Sequence, residues 1–405
     1  MSSFKRLANG SVTTPRGFRA AGVTAGFKRS GAPDFAMLVS DVPANFAGAF
    51  TSCTFAAAPV QVCRKRVLFC DTIRAAVINS GNANACTGDT GISNAEATCV
   101  LAANKLGINS NEVVVSSTGR IGTQLPMDTV KKGIELAVAS LSEEGGELAA
   151  QAIMTTDTVP KSIAVELELD GVVCSIGAMT KGAGMIDPSL KVPHATMLCY
   201  ITTDVKISNA LLSDMIEENV AQSFNRITID GDMSTNDTVL VMANGASGVT
   251  LESPEDIYAF QQALAYVMLE LAKHIVQDGE RVTKFVTVRV TGGRTEDEAK
   301  KAAEAVAKSS LVKSSWNGND PNWGRIIHAV GYCGAKVDEE KIDIDIAGLP
   351  ACRGGVQADT PSDDLRQAVQ VPEFQVDINL NRGEFSHTVY TTDLSPEYVD
   401  FNRSE

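Results

Sequence analysis

Asp170-Gly171 stands between two strand-like runs, Ser162–Glu168 and Val172–Ile176. Both turn residues tolerate the positive φ that a two-residue connection between antiparallel strands requires, so this is the strongest short hairpin signal in the chain. It commits the chain to at least one antiparallel strand pair. Ala36–Val39 and Ala75–Ile78 are short apolar runs, and Thr283–Val290, Ile342–Ile346 and Phe374–Leu380 alternate apolar with polar residues, so each adds a strand. After the last of these, Asn381-Arg382-Gly383 and a returning strand over Ser386–Thr391 predict a second hairpin.

Helix signals alternate with the strands. Ser93-Asn94-Ala95-Glu96 reads as a capping box, with Gly107 as the stop. Further helices are expected after Pro126, through Met127 to Leu141, and from near Ser208, with Leu211, Leu212, Met215, Ile216 and Val220 on one face. Ser253-Pro254 opens a long helix to about Val276, and Thr295 with Glu298 caps an Ala-rich run to Ser309. Hairpins interleaved with helices predict an α/β (α+β) architecture with a largely antiparallel component. At 405 residues the chain exceeds the size at which one core keeps growing, so two lobes are expected.

Composition removes several function classes. The net charge of −14 disfavours affinity for nucleic-acid backbones or anionic membranes. The N-terminus lacks the apolar core of a signal peptide, and charged residues or Gly interrupt every long apolar stretch, so no membrane span is expected. The 9 cysteines are scattered and never spaced as C-x-x-C, which fits a reducing cytoplasm and argues against a disulfide framework or a zinc site.

The 4 histidines, His194, His274, His328 and His387, are few for a serine or cysteine hydrolase, and no G-x-S-x-G elbow accompanies them. His274 falls on a helix and His387 in a strand, where structural roles are expected. No His or Cys cluster has metal-ligand spacing. Lys181-Gly-Ala-Gly lacks the third glycine of a dinucleotide loop and the lysine of a phosphate loop, and Asn79–Asn84 reads as a turn. One mechanism needs no histidine. Were the chain cut before Thr196, that residue would carry both a hydroxyl and an α-amine of pKa about 8, a base that is partly unprotonated near neutrality. On residue type alone, Thr196 reads as a threonine of a core strand, and the pattern around it does not overturn that reading.

A set of ordered segments settles the choice by resemblance. These are Gly17-Phe-Arg-Ala-Ala-Gly-Val, Asn79–Gly88 (NSGNANACTG), Ser117-Thr-Gly-Arg-Ile-Gly, Met154-Thr-Thr-Asp-Thr, Lys181–Ile186, Ala195-Thr-Met-Leu, Asp278-Gly-Glu and Gly318–Arg325 (GNDPNWGR). Together they make the chain resemble, over essentially its full length, the ornithine acetyltransferase family of arginine biosynthesis, also called bifunctional glutamate N-acetyltransferase/amino-acid acetyltransferase. The resemblance implies mixed sheets flanked by helices in two lobes, the ornithine acetyltransferase/DmpA-like N-terminal-nucleophile fold. It implies a precursor that cleaves itself between Ala195 and Thr196 into an α chain (1–195) and a β chain (196–405), assembled as a heterotetramer of two of each. Thr196 is then the nucleophile that carries acetyl from N2-acetylornithine to glutamate by ping-pong chemistry. No dissociable cofactor is implied for the transfer, and acetyl-CoA stays open as a co-substrate.

By the same resemblance Thr118 and Gly119 form an oxyanion hole, and Thr155, Lys181, Thr196, Glu280 and Asn402 bind substrate. Without it, Thr118-Gly119 reads as a turn, Glu280 as a solvated loop charge and Asn402 as part of a frayed tail. The chain departs from the family pattern in two places. Ser189–His194 lengthens the lead-in to the scissile bond, and the hydroxyl that usually follows the asparagine is missing or replaced by Ser404. The competing readings are a self-processing aminopeptidase or amidohydrolase of related fold, and an unprocessed, inactive homologue.

Overall fold

The computed structural model describes residues 4–191 and 197–403. The chain divides into two compact units, with Met1–Gly182, Ile186–Asn225 and Met233–Ile275 in the first and Ala183–Met185, Arg226–Asp232 and Val276–Glu405 in the second.

The first unit is built on a mixed sheet of 10 strands. They are β1 (Phe4–Arg6), β2 (Phe18–Val23), β3 (Phe35–Thr51), β4 (Ile73–Asn82), β5 (Val113–Arg120), β6 (Lys161–Leu169), β7 (Val172–Lys181), β8 (Leu190–Lys191), β9 (Leu198–Thr203) and β10 (Thr238–Ala243). The order is β1-β6-β7-β9-β10-β3-β4-β5, with β2 and β8 added along β3. The β4–β5 and β9–β10 pairs are parallel. The hairpin at Asp170-Gly171 forms as expected: both residues have positive φ, 48° and 71°, and β6 pairs β7 antiparallel from Leu169↔Val172 to Lys161↔Thr180.

Side-chain alternation on the central strands explains why they read as short apolar runs. Phe35, Met37, Val39, Ala75, Val77, Val113 and Val115 face one core, whereas Ala36, Leu38, Ala76, Ile78 and Val114 face another. Both faces are covered, so both are apolar. The first core is closed by α2 (Gly88–Leu106) and α3 (Met127–Ala139), the second by α4 (Gly146–Ile153). α1 (Ala58–Phe69), α5 (Asn209–Gln222) and α6 (Pro254–Gln277) complete the unit.

Most helix limits match the expectations. Ser208 caps α5 by accepting from Leu211 N–H, Ser253 accepts from Asp256 N–H ahead of α6, and Gly107 ends α2 in the left-handed region at φ 68°. The start of α2 does not match: it begins at Gly88, so the Ser93–Glu96 box lies inside the helix. Glu96 is drawn instead to Arg66 of α1 (2.6 Å), and an ion pair across helices replaces the reciprocal cap.

The second unit holds a 6-stranded sheet of β11 (Phe285–Gly293), β12 (Asp343–Ile346), β13 (Leu349–Arg353), β14 (Val356–Gln357), β15 (Glu373–Asn379) and β16 (Phe385–Thr392), in the order β14-β13-β12-β15-β11-β16. Its buried face, including Val286, Val288, Val290, Val376 and Ile378, packs on α7 (Glu296–Ala307), α8 (Ser310–Asn317) and α9 (Trp323–Gly331). α10 (Ser362–Ala368) and α11 (Pro396–Asn402) follow. Thr295 caps α7 by accepting from Glu298 N–H. The second predicted hairpin is corrected here: β15 and β16 do not pair. β11 lies between them, parallel to β15 and antiparallel to β16. The 380–382 turn crosses the end of β11, bonding Leu380 N–H to Thr291 O (2.9 Å) and Arg382 N–H to Gly292 O (2.8 Å).

Candidate active site

In the first unit, the parallel strands β4 and β5 end together. Asn79 lies opposite Ser117, Ser80 opposite Thr118 and Gly81 opposite Gly119, after which the register shifts. The Asn79–Asn84 stretch is thus mostly strand rather than turn. Its polar side chains are turned inward and satisfied: Ser117 Oγ donates to Asn79 Oδ1 (2.7 Å), Asn79 Nδ2 to Asn82 O (2.8 Å) and Ser80 Oγ to Ala152 O (2.6 Å). Asn236, also buried, donates through Nδ2 to Ala83 O and Ser117 O (2.5 and 2.8 Å), bracing both strand ends. Gly119 has φ 125°, and a Cβ there would lie 2.5 Å from the Gly81 carbonyl carbon, so only glycine fits. Rigid backbone therefore carries Thr118 and Gly119 at a partly exposed strand end.

Lys181 closes β7 and reaches this point. Its Nζ donates to Thr118 Oγ1 at 3.3 Å, and the residue is buried. A hydroxyl that accepts from an ammonium becomes a better donor through its own hydrogen. Three elements thus bring a cation and a polarised hydroxyl to the strand end that carries Gly119.

Asp157 organises the neighbouring loop. Its Oδ2 accepts from Thr155 N–H (2.9 Å), and its Oδ1 accepts from Gly182 N–H (2.7 Å) and Lys161 Nζ (2.7 Å). Neither side chain of the Asp157–Lys161 pair is appreciably exposed. Burial pushes the Asp157 carboxyl up, but the Lys181 and Lys161 charges and these hydrogen bonds outweigh it and hold the group well below the usual carboxylate range. Thr155, half-buried, and the backbone just after Lys181 are therefore fixed by one anion.

In the second unit, Glu280 is buried and held by Asn402 of α11, whose Nδ2 donates to Glu280 Oε2 at 3.0 Å. Glu280 N–H donates to Ala183 O (3.0 Å), and a Cβ on Gly184 would lie 2.4 Å from Glu280 Oε1. Glu280 is thus no solvated loop charge, and Asn402 no frayed tail. Asp230 accepts from Met185 N–H (2.7 Å) and from the Tyr398 hydroxyl (3.3 Å). Burial, then the negative charges of Asp230 and Glu280, push the Tyr398 hydroxyl pKa up, so it stays a proton donor. Among the described residues no group of His, Cys, Asp and Glu could hold a metal ion. Ala195, Thr196 and the lead-in residues Val192–His194 lie outside the described residues.

Comparison with known proteins decides the family. The ArgJ family model matches residues 19–404. The chain belongs to the ArgJ family.

Among its ArgJ relatives, the arginine biosynthesis bifunctional protein ArgJ of Symbiobacterium thermophilum is 45% identical over 399 residues, covering 98% of each chain. The glutamate N-acetyltransferase of Methanocaldococcus jannaschii is 43% identical over 407 residues, again covering 98% of each. A solved chain of Mycobacterium tuberculosis ornithine acetyltransferase, complexed with ornithine, is 42% identical over 46% of this chain and 100% of that one, with a TM-score of 0.43. Membership of the ArgJ family makes this chain an acyltransferase of arginine biosynthesis. The sequence reading missed Asp157, Asn236 and Asp230. Asp157 lies inside a quoted ArgJ segment, and its pairing with Lys161 at i+4 was the one local signal available; Asn236 and Asp230 offered none.

Proposed function

We propose that the chain cleaves itself between Ala195 and Thr196, and that Thr196 then carries the acetyl group of N2-acetylornithine to glutamate. The freed α-amine takes the hydroxyl proton as Oγ attacks the acetyl carbonyl carbon. The bond from that carbon to the ornithine nitrogen breaks, the proton passes to the leaving amine, and an acetyl-threonine ester remains. The glutamate amine attacks the ester, Thr196 Oγ leaves and recovers a proton, and N-acetylglutamate departs.

The observation that carries this reading is the meeting of Lys181 Nζ with Thr118 Oγ1 (3.3 Å) beside Gly119, in a chain of this family. A hydroxyl and a backbone N–H at a rigid strand end suit the oxyanion of a tetrahedral intermediate, and the ammonium suits a substrate carboxylate. Thr155 and Lys181 bind the carboxylate end of the substrate, and Glu280, held by Asn402, its ammonium. The α and β chains stay associated and assemble two of each.

Initial-rate kinetics test the reading. Ornithine release from N2-acetylornithine should depend on glutamate with parallel double-reciprocal lines and yield N-acetylglutamate in equal amount. Acetate release that glutamate neither accelerates nor diverts would instead identify a hydrolase.

A further inference from the structure

The loop between β2 and β3 has no role in the chemistry above, yet it is fixed onto the same strand end. Asp34, fully buried, accepts from the N–H groups of Ala25 (2.6 Å), Gly26 (3.0 Å) and Lys28 (2.9 Å). Three backbone donors on one buried carboxylate determine the path of residues 25–28. The Asp34 backbone ties that path to the sheet, donating to Val23 O (3.0 Å) and accepting from Ser80 N–H (2.9 Å). Phe27 consequently lies over Gly81, where a Cβ would come 3.2 Å from Phe27 Cβ. Gly81 pairs with Gly119, and Thr118 beside it receives Lys181 Nζ. The series places Phe27 against the strand end that carries Thr118 and Gly119, and Lys28 is the next residue along the fixed loop.

The Lys28 ammonium is half-buried and donates to Pro33 O at 2.6 Å, using one of its three N–H groups. Burial lowers its pKa, the charges of Asp34 and Asp157 work against that, and the charge of Lys181 adds to it. Two partly desolvated ammonium groups within electrostatic range of each other gain from an anion placed between them. Asp157, which accepts from Lys161, Thr155 and Gly182, is one carboxylate facing two such ammonium groups.

We propose that Lys28 is a specificity-determining binding residue, which takes the second carboxylate of a dicarboxylic acceptor amino acid. The assignment rests on the acetyl-transfer reading above. The donor, N2-acetylornithine, carries one carboxylate and a side-chain ammonium, whereas glutamate carries two carboxylates. One carboxylate is common to both substrates and falls to Lys181. The other belongs to the acceptor alone, and Lys28 is the cation that meets it.

The test compares wild type with Lys28→Met, which keeps the apolar stem, and Lys28→Arg, which keeps the charge. The kcat/KM is measured at saturating N2-acetylornithine for glutamate and for glutamine, an acceptor of the same size without the side-chain charge. Lys28→Met should lower the value for glutamate about tenfold or more, the loss expected for one charge-assisted hydrogen bond, and lower that for glutamine far less. Lys28→Arg should restore most of the preference. A purely structural lysine would reduce both acceptors alike and leave their ratio unchanged, and that result would overturn the assignment while leaving acetyl transfer intact. Wild-type protein that forms no N-acetylglutamate from N2-acetylornithine would overturn the transfer reading and this assignment together.

Discussion

Asp157 accepts two backbone N–H groups and one ammonium while almost none of its side chain meets solvent. Asp157→Asn would remove the carboxylate that faces the buried Lys161 ammonium, and breaking a buried pair from one side typically costs about 3–5 kcal/mol. Asp157→Asn combined with Lys161→Met removes both charges and should recover much of that loss in a denaturant melt. Activity should stay low in the double variant, because the Lys181 ammonium loses its neighbouring anion. Recovery of kcat/KM together with stability would show that the pair is structural only. The pH dependence follows from the sign of the shift. A carboxyl held below its unfolded value contributes stability that is fully present above about pH 4 and is lost as pH falls towards the folded pKa. The double variant should therefore lose less stability than wild type on acidification. At the strand end, Thr118→Val removes one oxyanion donor and should lower kcat by about 10²–10³. An unchanged kcat would remove Thr118 from the chemistry.

At the scale of elements, what was legible in sequence was what is decided locally. Asp170-Gly171, the Ser208 and Thr295 caps and the Gly107 stop each act within a few residues, and each forms. The predicted hairpin after Phe374–Leu380 failed because the neighbour of β16 is β11, far away in sequence, and no turn signal encodes that partner. Thr118, Gly119, Glu280 and Asn402 stood out by family resemblance alone, since their partners Lys181, Gly81, Gly184 and each other are brought in by the fold. The contact between α8 and β16 buries a titratable group. Lys313 is buried and donates to Thr391 Oγ1 (3.1 Å), Thr392 O (2.5 Å) and Thr392 Oγ1 (3.1 Å). Burial lowers its pKa to about 7, against the pull of Asp393 and Asp230. The unfolded chain, with lysine pKa about 10.4, then holds more protons between those values, so stability should rise with pH across that window. Thermal melts of wild type and Lys313→Met between pH 7 and 10 should show a rise in wild type that the variant lacks. Parallel pH profiles would mean that the ammonium titrates normally.

At the scale of the whole molecule, the proposed cut falls between sequence segments that share one sheet. Residues before it supply β3 and β7, and residues after it supply β9 and β10. β9 is paired between β7 and β10, and β10 between β9 and β3. Two continuous ladders would therefore cross from one product to the other, and buried ladders of this kind do not part without unfolding. The fragments should co-elute as one species in native size exclusion and separate only in denaturant; separation in plain buffer would contradict the sheet order. The central claim, that Thr196 becomes N-terminal on cleavage and carries the acetyl group, has a direct measurement: denaturing mass spectrometry of the purified protein incubated with N2-acetylornithine and no glutamate. The expected result is two fragments joined at Ala195/Thr196 in the precursor, with one acetyl group on the Thr196 residue of the second, removed when glutamate is added. An intact chain, or an acetyl group that stays in place or sits elsewhere, would contradict it.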